Sequence, residues 1–486
     1  MSSVLELLRP GIVVASGDAA AGDGAARMPR RSLMPHPVVM MIGIIVAAVL
    51  LSWAIPSGVF DRAPNGHVLP GTYHEVPKSF SVEALLWPHR STHVAAYPAD
   101  LASVFSSIPA GMTEAAGLIF MIMFLGGMFG VLRASGALDA GIERLVAVTG
   151  GNVYVLAPVL MIVLSAGSTF LGLISEYLVL IPMALVLAEK LRLGPLFAVA
   201  LIAIPAKIGY LASVTNPLPL VIAQPIVGVP VFSGLGFRLV LWIVFLALGM
   251  GYLLVLLARS GFVPSREVHA APALSGRHSA ILLAIALGVV AIVYGAGNLH
   301  WGNLQLGAYY IFLGVLIAVI GGIDAAHASE AFIDGMKAMM LAAVLVGLAG
   351  AVEVVLRNAL VLDTIIKDLA SLAQDRGPIV VAQTLVGIEV ILDVVIPSTS
   401  AKAAISMPIL WPIAQLSGVG GQTTVLAYLV GNGLTNMVTP TSGLLLAYLS
   451  TGGVPYGTWI RFILPLWLAL LVLSLAAAAI AVVIGY

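Results

Sequence analysis

The chain has 486 residues, 60% of them hydrophobic and only 9% charged, and its formal net charge is zero. That much apolar surface exceeds what a soluble domain buries and predicts a polytopic all-α membrane protein; the runs are continuous rather than alternating, which speaks against a β-barrel. Zero net charge speaks against nucleic acid as a partner, and the absence of cysteine excludes thiol catalysis, disulfides and Cys-ligated metal.

Residues 1–35 are polar, rich in Gly and Ala, and carry Arg27, Arg30 and Arg31 without a clear cleavable signal pattern. They predict a disordered cytoplasmic tail. The first half, 36–258, contains spans near 37–55, 113–133, 195–228 and 234–258. A long loop, 57–106, is expected to hold a surface helix. Residues 259–278, with Arg259, Arg266 and Arg277, form a cytoplasmic loop before the second half, 279–486. There the spans fall near 279–296, 306–323, 336–356, 422–450 and 457–484. With the N-terminus inside, nine crossings put 259–278 inside and the Lys/Arg-free loop 297–305 outside, as the positive-inside rule requires.

Two further apolar regions, 152–192 and 378–416, have no charged loop at their middle. Each fits two arms of roughly 27–30 Å at 1.5 Å per residue. Their midpoints, "SAGSTFLGLISE" (165–176) and "IPSTSAK" (396–402), are rich in small and hydroxyl residues. We read them as re-entrant helical hairpins; two full crossings each is the alternative.

The halves repeat. Gly111-Met112, Val131-Leu132-Arg133 and Leu138-Asp139 match Gly335-Met336, Val355-Leu356-Arg357 and Leu362-Asp363 at one offset of 224. Pro182 and Gly194 match Pro408 and Gly420 at 226, and Arg238 matches Arg461 at 223. Five crossings separate the two units, so they are inverted, a signature of secondary transporters with a binding site at the repeat interface.

Non-helical backbone survives at bilayer depth only where it lines a buried or water-filled cavity. The hairpin tips are two such segments. "ASVTNPLPL" (212–220) and "GNGLTNMVTPTSG" (431–443) are two more, interrupted by Pro217, Pro219 and Pro440 and carrying Asn432 and Asn436. Free helix ends attract carboxylates or Na⁺, while hydroxyls and amides supply neutral ligands. Lys402 and Glu176, matched at offset 226, are charges that need partners at depth. Lys402 either binds a substrate carboxylate, or takes the place of an ion, or pairs statically with Glu176 or Asp393. Lys207 either pairs with Glu176 or snorkels. Glu389 and Asp393 share a helix face, with burial against the scaffold as the plain reading, and Glu114 and Glu353 read as structural or interfacial. No paired histidines at zinc spacing and no Walker motif occur, so neither a metal site nor ATP-driven pumping is expected.

"IPAGMTEAAGLIFMIMFLGGMFGVLRASGALDAGI", "GLGFR" and "IPSTSAKAAISMPILWPIAQLSGVGGQ…GNGLTNMVTPTSGLLLAYLS" resemble the YfcC-like carriers, which sit with the anaerobic C4-dicarboxylate carriers of the DcuC type in the ion transporter superfamily. The resemblance runs from about residue 36 onward and is most specific around 395–450. It implies a homodimer working by an elevator mechanism, with substrate and Na⁺ between hairpin tips and unwound helices. It points to Ser168, Thr169, Gly172 and Ser175 in the first tip, Thr215 and Asn216 in its partner segment, and Ser398, Thr399 and Ser400 with Thr435, Asn436, Thr439 and Thr441 in the second half. A Na⁺ site is expected near Thr215, Asn216, Thr435 and Asn436. The second tip reads Ser-Thr-Ser-Ala-Lys where many YfcC-like sequences have Ser-Gly-Ser-Gly-Gln, and it is similar in part to p-aminobenzoyl-glutamate and drug-export carriers. The expected function is secondary transport of a small anionic or zwitterionic metabolite across the bacterial inner membrane, coupled to Na⁺ or H⁺ or run as exchange. An exporter of drugs or aryl-glutamates and an ion channel are the alternatives; no cofactor or enzymatic site is expected.

Overall fold

The computed structural model describes residues 37–63, 68–69, 71–80, 91–92, 94–148, 152–260, 274–299 and 301–486. The expected tail and most of the 259–278 loop, Arg266 included, lie outside the described residues.

Eighteen described helices follow in order: α1 (Pro37–Ala54), α2 (Ser103–Glu114), α3 (Ala116–Ala134), α4 (Ala137–Val148), α5 (Val153–Leu171), α6 (Leu180–Lys190), α7 (Pro195–Ala212), α8 (Pro217–Ile226), α9 (Leu235–Arg259), α10 (Gly276–Asn298), α11 (Asn303–Gly321), α12 (Ala325–Asn358), α13 (Leu362–Ser371), α14 (Pro378–Val395), α15 (Thr399–Leu416), α16 (Gly421–Val438), α17 (Gly443–Thr451) and α18 (Tyr456–Val483). Among the described residues, nine helical stretches are long and apolar enough to cross a membrane: α1, α3, α5, α7 with α8, α9, α11, α12, α14 and α18. The number agrees with the expected nine, but the set differs. The expected 422–450 span is divided at 439–442 into α16 and α17. α10 runs from Gly276 to Asn298 and is apolar over Gly276–Ile292, while α5 and α14, the first helices of the regions 152–192 and 378–416, reach span length.

The loop after α1 adds a feature that sequence did not announce. Its described part forms a small antiparallel ribbon, β1 (Gly58–Val59) on β2 (His74–Glu75); residues 81–90 of the loop expected to hold a surface helix lie outside the described residues. The ribbon docks on the start of α13: the Phe60 N–H donates to Asp363 Oδ2 at 3.0 Å, and Arg62 pairs with the same carboxylate at 3.1 Å. Lys78 donates to the carbonyls of Ser52 and Ile55 at 2.6 and 2.5 Å, supplying donors that the C-terminal turn of α1 lacks.

The helices pack in two groups. In one, α12 runs against α1, α2 and α3, and α3 against α11. Small residues let α3 and α12 approach to backbone contact: a Cβ on Gly130 would stand 1.9 Å from the Ala331 carbonyl oxygen, and one on Gly335 2.1 Å from that of Gly126. In the other group, α7 and α16 are central. Every residue of α7 from Leu196 to Ala212 is buried, by α5, α6, α9 and α16, and α16 is covered in turn by α14 and α18. The two groups meet where α17 packs on α12.

Four interruptions sit inside the second group. The helix breaks after α5 at 172–174 and after α14 at 396–398, an offset of 224; it breaks after α7 at 213–216 and after α16 at 439–442, an offset of 226. These are the offsets at which the sequence repeats. The match is not uniform: Arg238 is fully buried whereas its counterpart Arg461 is exposed.

Candidate functional site

Each interruption has a local cause. Gly172 ends α5 in the left-handed region at φ +78°, and a Cβ there would meet Asn216 Oδ1 at 2.5 Å, so only glycine serves. Ser213 ends α7 at φ +41°, and Pro217 then starts α8 with Asn216 as its cap, accepting from the Leu218 N–H at 3.1 Å. In the second half, Ser398 caps α15 through the Ala401 N–H at 3.4 Å, and Ser442 caps α17 through the Leu445 N–H at 3.3 Å.

The end of α5 is tied to the break after α7. Ser168 Oγ donates to the Ala206 carbonyl at 2.6 Å, Thr169 Oγ1 accepts from the Val214 N–H at 3.1 Å, and Thr215 Oγ1 donates to the Phe170 carbonyl at 3.0 Å. Glu176 stays within its own segment, where Oε2 accepts from the Ile174 N–H at 2.9 Å and from the Ser175 hydroxyl at 3.3 Å. It forms no ion pair with Lys402 or Lys207 among the described residues.

Lys402 instead contacts Asp393 Oδ1 at 3.0 Å and Glu389 Oε2 at 3.3 Å, and all three side chains are essentially inaccessible. Of the partners weighed for Lys402, Asp393 is present and Glu176 is not; Glu389 joins because it lies one turn before Asp393 on α14. Ser406 donates to Glu389 Oε1 at 3.0 Å and Asn436 to Asp393 Oδ2 at 2.8 Å. The cluster therefore holds two carboxylates for one ammonium.

A hydroxyl–amide network joins the halves. Tyr210 of α7 shares a 2.6 Å hydrogen bond with Thr399 Oγ1, and Asn432 donates to both, at 3.2 and 3.3 Å. Arg238 braces the first break from outside. Nη2 donates to the carbonyls of Val214 (3.1 Å) and Ser233 (2.8 Å), and Nη1 to Gln422 (3.2 Å) and Tyr486 (3.3 Å). Replacing Arg238 by methionine is expected to cost about 1.5–3 kcal/mol, because buried carbonyls lose charge-assisted donors. Thermal unfolding of the purified protein in detergent measures this, and an unchanged midpoint would remove the brace.

A cavity of about 630 Å³ opens between the two helix groups. One wall is Gly111, Glu114 and Leu118 with Val346, Gly350 and Glu353; the other includes Lys207, Tyr210, Pro397 and Ala401. Of the residues expected from sequence, Ser398, Thr399, Asn436 and Thr441 line it. Asn432, Thr435 and Thr439 stand behind that wall: Thr435 Oγ1 donates to the carbonyls of Val390 and Gly431, and Thr439 Oγ1 pairs with Thr441 Oγ1 at 2.7 Å. Ser168, Thr169, Gly172, Ser175, Glu176, Thr215, Asn216, Ser400 and Lys402 are not part of its lining, although Ile174, between α5 and α6, is. The residues expected near Na⁺ fall in separate hydrogen-bond sets, Thr215 and Asn216 in the first half and Thr435 and Asn436 in the second. Among the described residues, no group of three or more His, Asp or Glu side chains is arranged to hold a metal ion. Tyr210, Ser442, Glu114 and Glu353 reach the cavity without being singled out for it by sequence; only Tyr210's place three residues after Lys207, on the same helix face, hinted at it.

The family described as C4-dicarboxylate anaerobic carrier (DcuC) matches residues 34–483. "Putative basic amino acid antiporter YfcC" of Escherichia coli (strain K12) is 27% identical over 470 residues, which covers 89% of this chain and 93% of that protein. Among solved structures, the Alcanivorax borkumensis YdaH transporter aligns at 18% identity over 93% of this chain and 99% of its own, with a TM-score of 0.42. Neisseria gonorrhoeae MtrF aligns at 20% identity over 92% and 95%, with a TM-score of 0.38.

Proposed function

The chain belongs to the C4-dicarboxylate anaerobic carrier (DcuC) family, a family of multi-pass membrane transporters, and from that premise we propose that it is a secondary active transporter of the bacterial inner membrane. Its cargo is a small carboxylate-bearing metabolite, a di- or tricarboxylate or an amino acid. The observation that carries this reading is the cavity of about 630 Å³ walled on one side by interrupted helices. Backbone freed from helical pairing at bilayer depth needs such a cavity, and carriers place their sites there.

On this reading the breaks at 172–174 and 396–398 are the tips of two re-entrant hairpins, and those at 213–216 and 439–442 are the unwound points of two broken helices in inverted repeats. The group built on α7 and α16 carries the cargo past the group built on α3 and α12, an elevator movement, in a homodimer whose N-termini are cytoplasmic. The unbalanced carboxylate beside Lys402 is the place for a coupling H⁺ or Na⁺. Exchange is the other route, favoured by the name of the E. coli relative, which assigns it basic amino acid antiport.

The test is uptake into proteoliposomes of the full chain, with labelled L-arginine and succinate, under imposed Na⁺, H⁺ and counter-substrate gradients. Saturable, gradient-driven uptake of either is expected. Ion conductance without saturation would make the protein a channel instead.

A further inference from the structure

Lys207 is a cation with no ion-pair partner among the described residues. It sits on the last turns of α7 before the break at 213–216, in a helix buried on all sides, and is 1% exposed. Among the described residues, Nζ makes no ion pair and no hydrogen bond; the Tyr448 ring centroid lies 6.0 Å away. The pairing with Glu176 expected from sequence is absent, and Asp393 is committed to Lys402 and Asn436. Yet Lys207 lines the cavity. An ammonium kept in that position needs an anion supplied from the cavity itself.

The opposite wall carries the reverse charge. Glu114 and Glu353 both line the cavity, and both lean on a single guanidinium, Arg357, which contacts Glu353 at 3.4 Å and also pairs with Glu114. Two carboxylates sharing one cation leave that wall negative. The other polar lining residues of Lys207's own wall, Tyr210, Ser398, Thr399 and Asn436, are neutral donors and acceptors.

We infer that Lys207 binds the carboxylate of the transported molecule, that Glu353 faces its ammonium or other cationic group, and that the cargo is therefore an amino acid and not a dicarboxylate. This rests on the carrier reading above. A dicarboxylate bound through Lys207 would turn its second negative charge toward Glu114 and Glu353, whereas an amino acid places opposite charges where each wall wants them. Lys402 then serves the buried cluster behind the tip and not the cargo.

The experiment compares L-arginine and succinate as probes for binding to the purified full-length wild type and to Lys207→Met, Lys207→Arg and Glu353→Gln, by thermal shift and by proteoliposome uptake. L-Arginine is expected to bind the wild type at least tenfold more tightly than succinate. Lys207→Met and Glu353→Gln are each expected to weaken it tenfold or more, with Lys207→Arg partly restoring affinity. Because Lys207 makes no ion pair or hydrogen bond among the described residues, Lys207→Met should also keep or raise the ligand-free unfolding midpoint. A lowered midpoint in that variant, tighter binding of succinate, or wild-type arginine affinity in Lys207→Met would each overturn the assignment. Saturable succinate uptake that ignores Lys207 would leave the carrier reading standing and remove only this inference. Absence of saturable uptake and binding for both probes would remove both.

Discussion

Replacing Lys402 by alanine should cost about 3–5 kcal/mol of stability, the range found when one member of a buried ion pair is removed and its partner is left uncompensated. The reason is geometric. Asp393 and Glu389 face the lysine at 3.0 and 3.3 Å from successive turns of α14, and none of the three reaches solvent. Their contacts with Nζ are ionic more than directional, since Asp393 Oδ1 and Glu389 Oε2 have no aligned hydrogen-bond donor. Without the ammonium, two carboxylates are enclosed with only Ser406 and Asn436 to bond them. Neutralising one should therefore recover much of the loss: Lys402→Ala with Asp393→Asn is expected to be clearly more stable than Lys402→Ala alone. Lys402→Ala with Glu176→Ala is expected to recover nothing, because Glu176 is bonded within its own tip. Unfolding midpoints in detergent for the four proteins decide it, and a Lys402→Ala variant as stable as wild type would dismiss the cluster as a structural element.

The second large effect concerns a reversal of sign. Glycine to alanine inside a helix ordinarily stabilises, by roughly 0.5–1 kcal/mol. Gly43, exposed in the middle of α1 with nothing near its added Cβ, should follow that rule. Gly130 should not. Its Cβ would meet the Ala331 carbonyl oxygen at 1.9 Å and carbon at 2.9 Å, with the Gly335 Cα at 3.2 Å. Backbone atoms cannot rotate aside, so α3 and α12 must part, and Gly130→Ala is expected to lose about 3 kcal/mol or more, at or beyond the upper end of ordinary overpacking. The same packing runs on to the cavity wall, where the far end of α12 carries Glu353 and α2, which precedes α3, carries Glu114. A shift there should impair transport even in protein that still folds. A Gly130→Ala midpoint equal to or above wild type would show that the two helices do not pack at backbone distance.

Much of the architecture is legible without coordinates, because a bilayer imposes strict rules on a chain. Continuous apolar runs must span it, and prolines, glycines and hydroxyls inside such runs must mark breaks. The interruptions at 213–216 and 439–442 follow from Asn216-Pro217 and Thr439-Pro440, and those at 172–174 and 396–398 from Gly172 and from Pro397-Ser398. Their common spacing is a linear property, so the repeat can be read directly. The need of Lys402 for a carboxylate is likewise a matter of composition, since a lone charge in an apolar region requires a partner.

Which partner it takes, and which polar groups face the cargo, is decided only by the tertiary structure. Glu176 and Asp393 are equally eligible in sequence; the approach of α14 to α15 selects Asp393 and brings Glu389 with it. Ser, Thr and Asn can cap a helix end or line a cavity with the same atoms, and the backbone around them determines which. Ser442 does both, as cap and wall, while Ser168 and Thr169 turn inward to satisfy α7 and its break. Lys207 is the clearest case. Sequence offers it a partner in Glu176, but the fold turns Glu176 into its own tip and sets Lys207 on a cavity wall opposite two glutamates contributed by helices distant in the chain. Hydropathy records how much of a residue must leave water; it does not record which neighbours the three-dimensional packing provides.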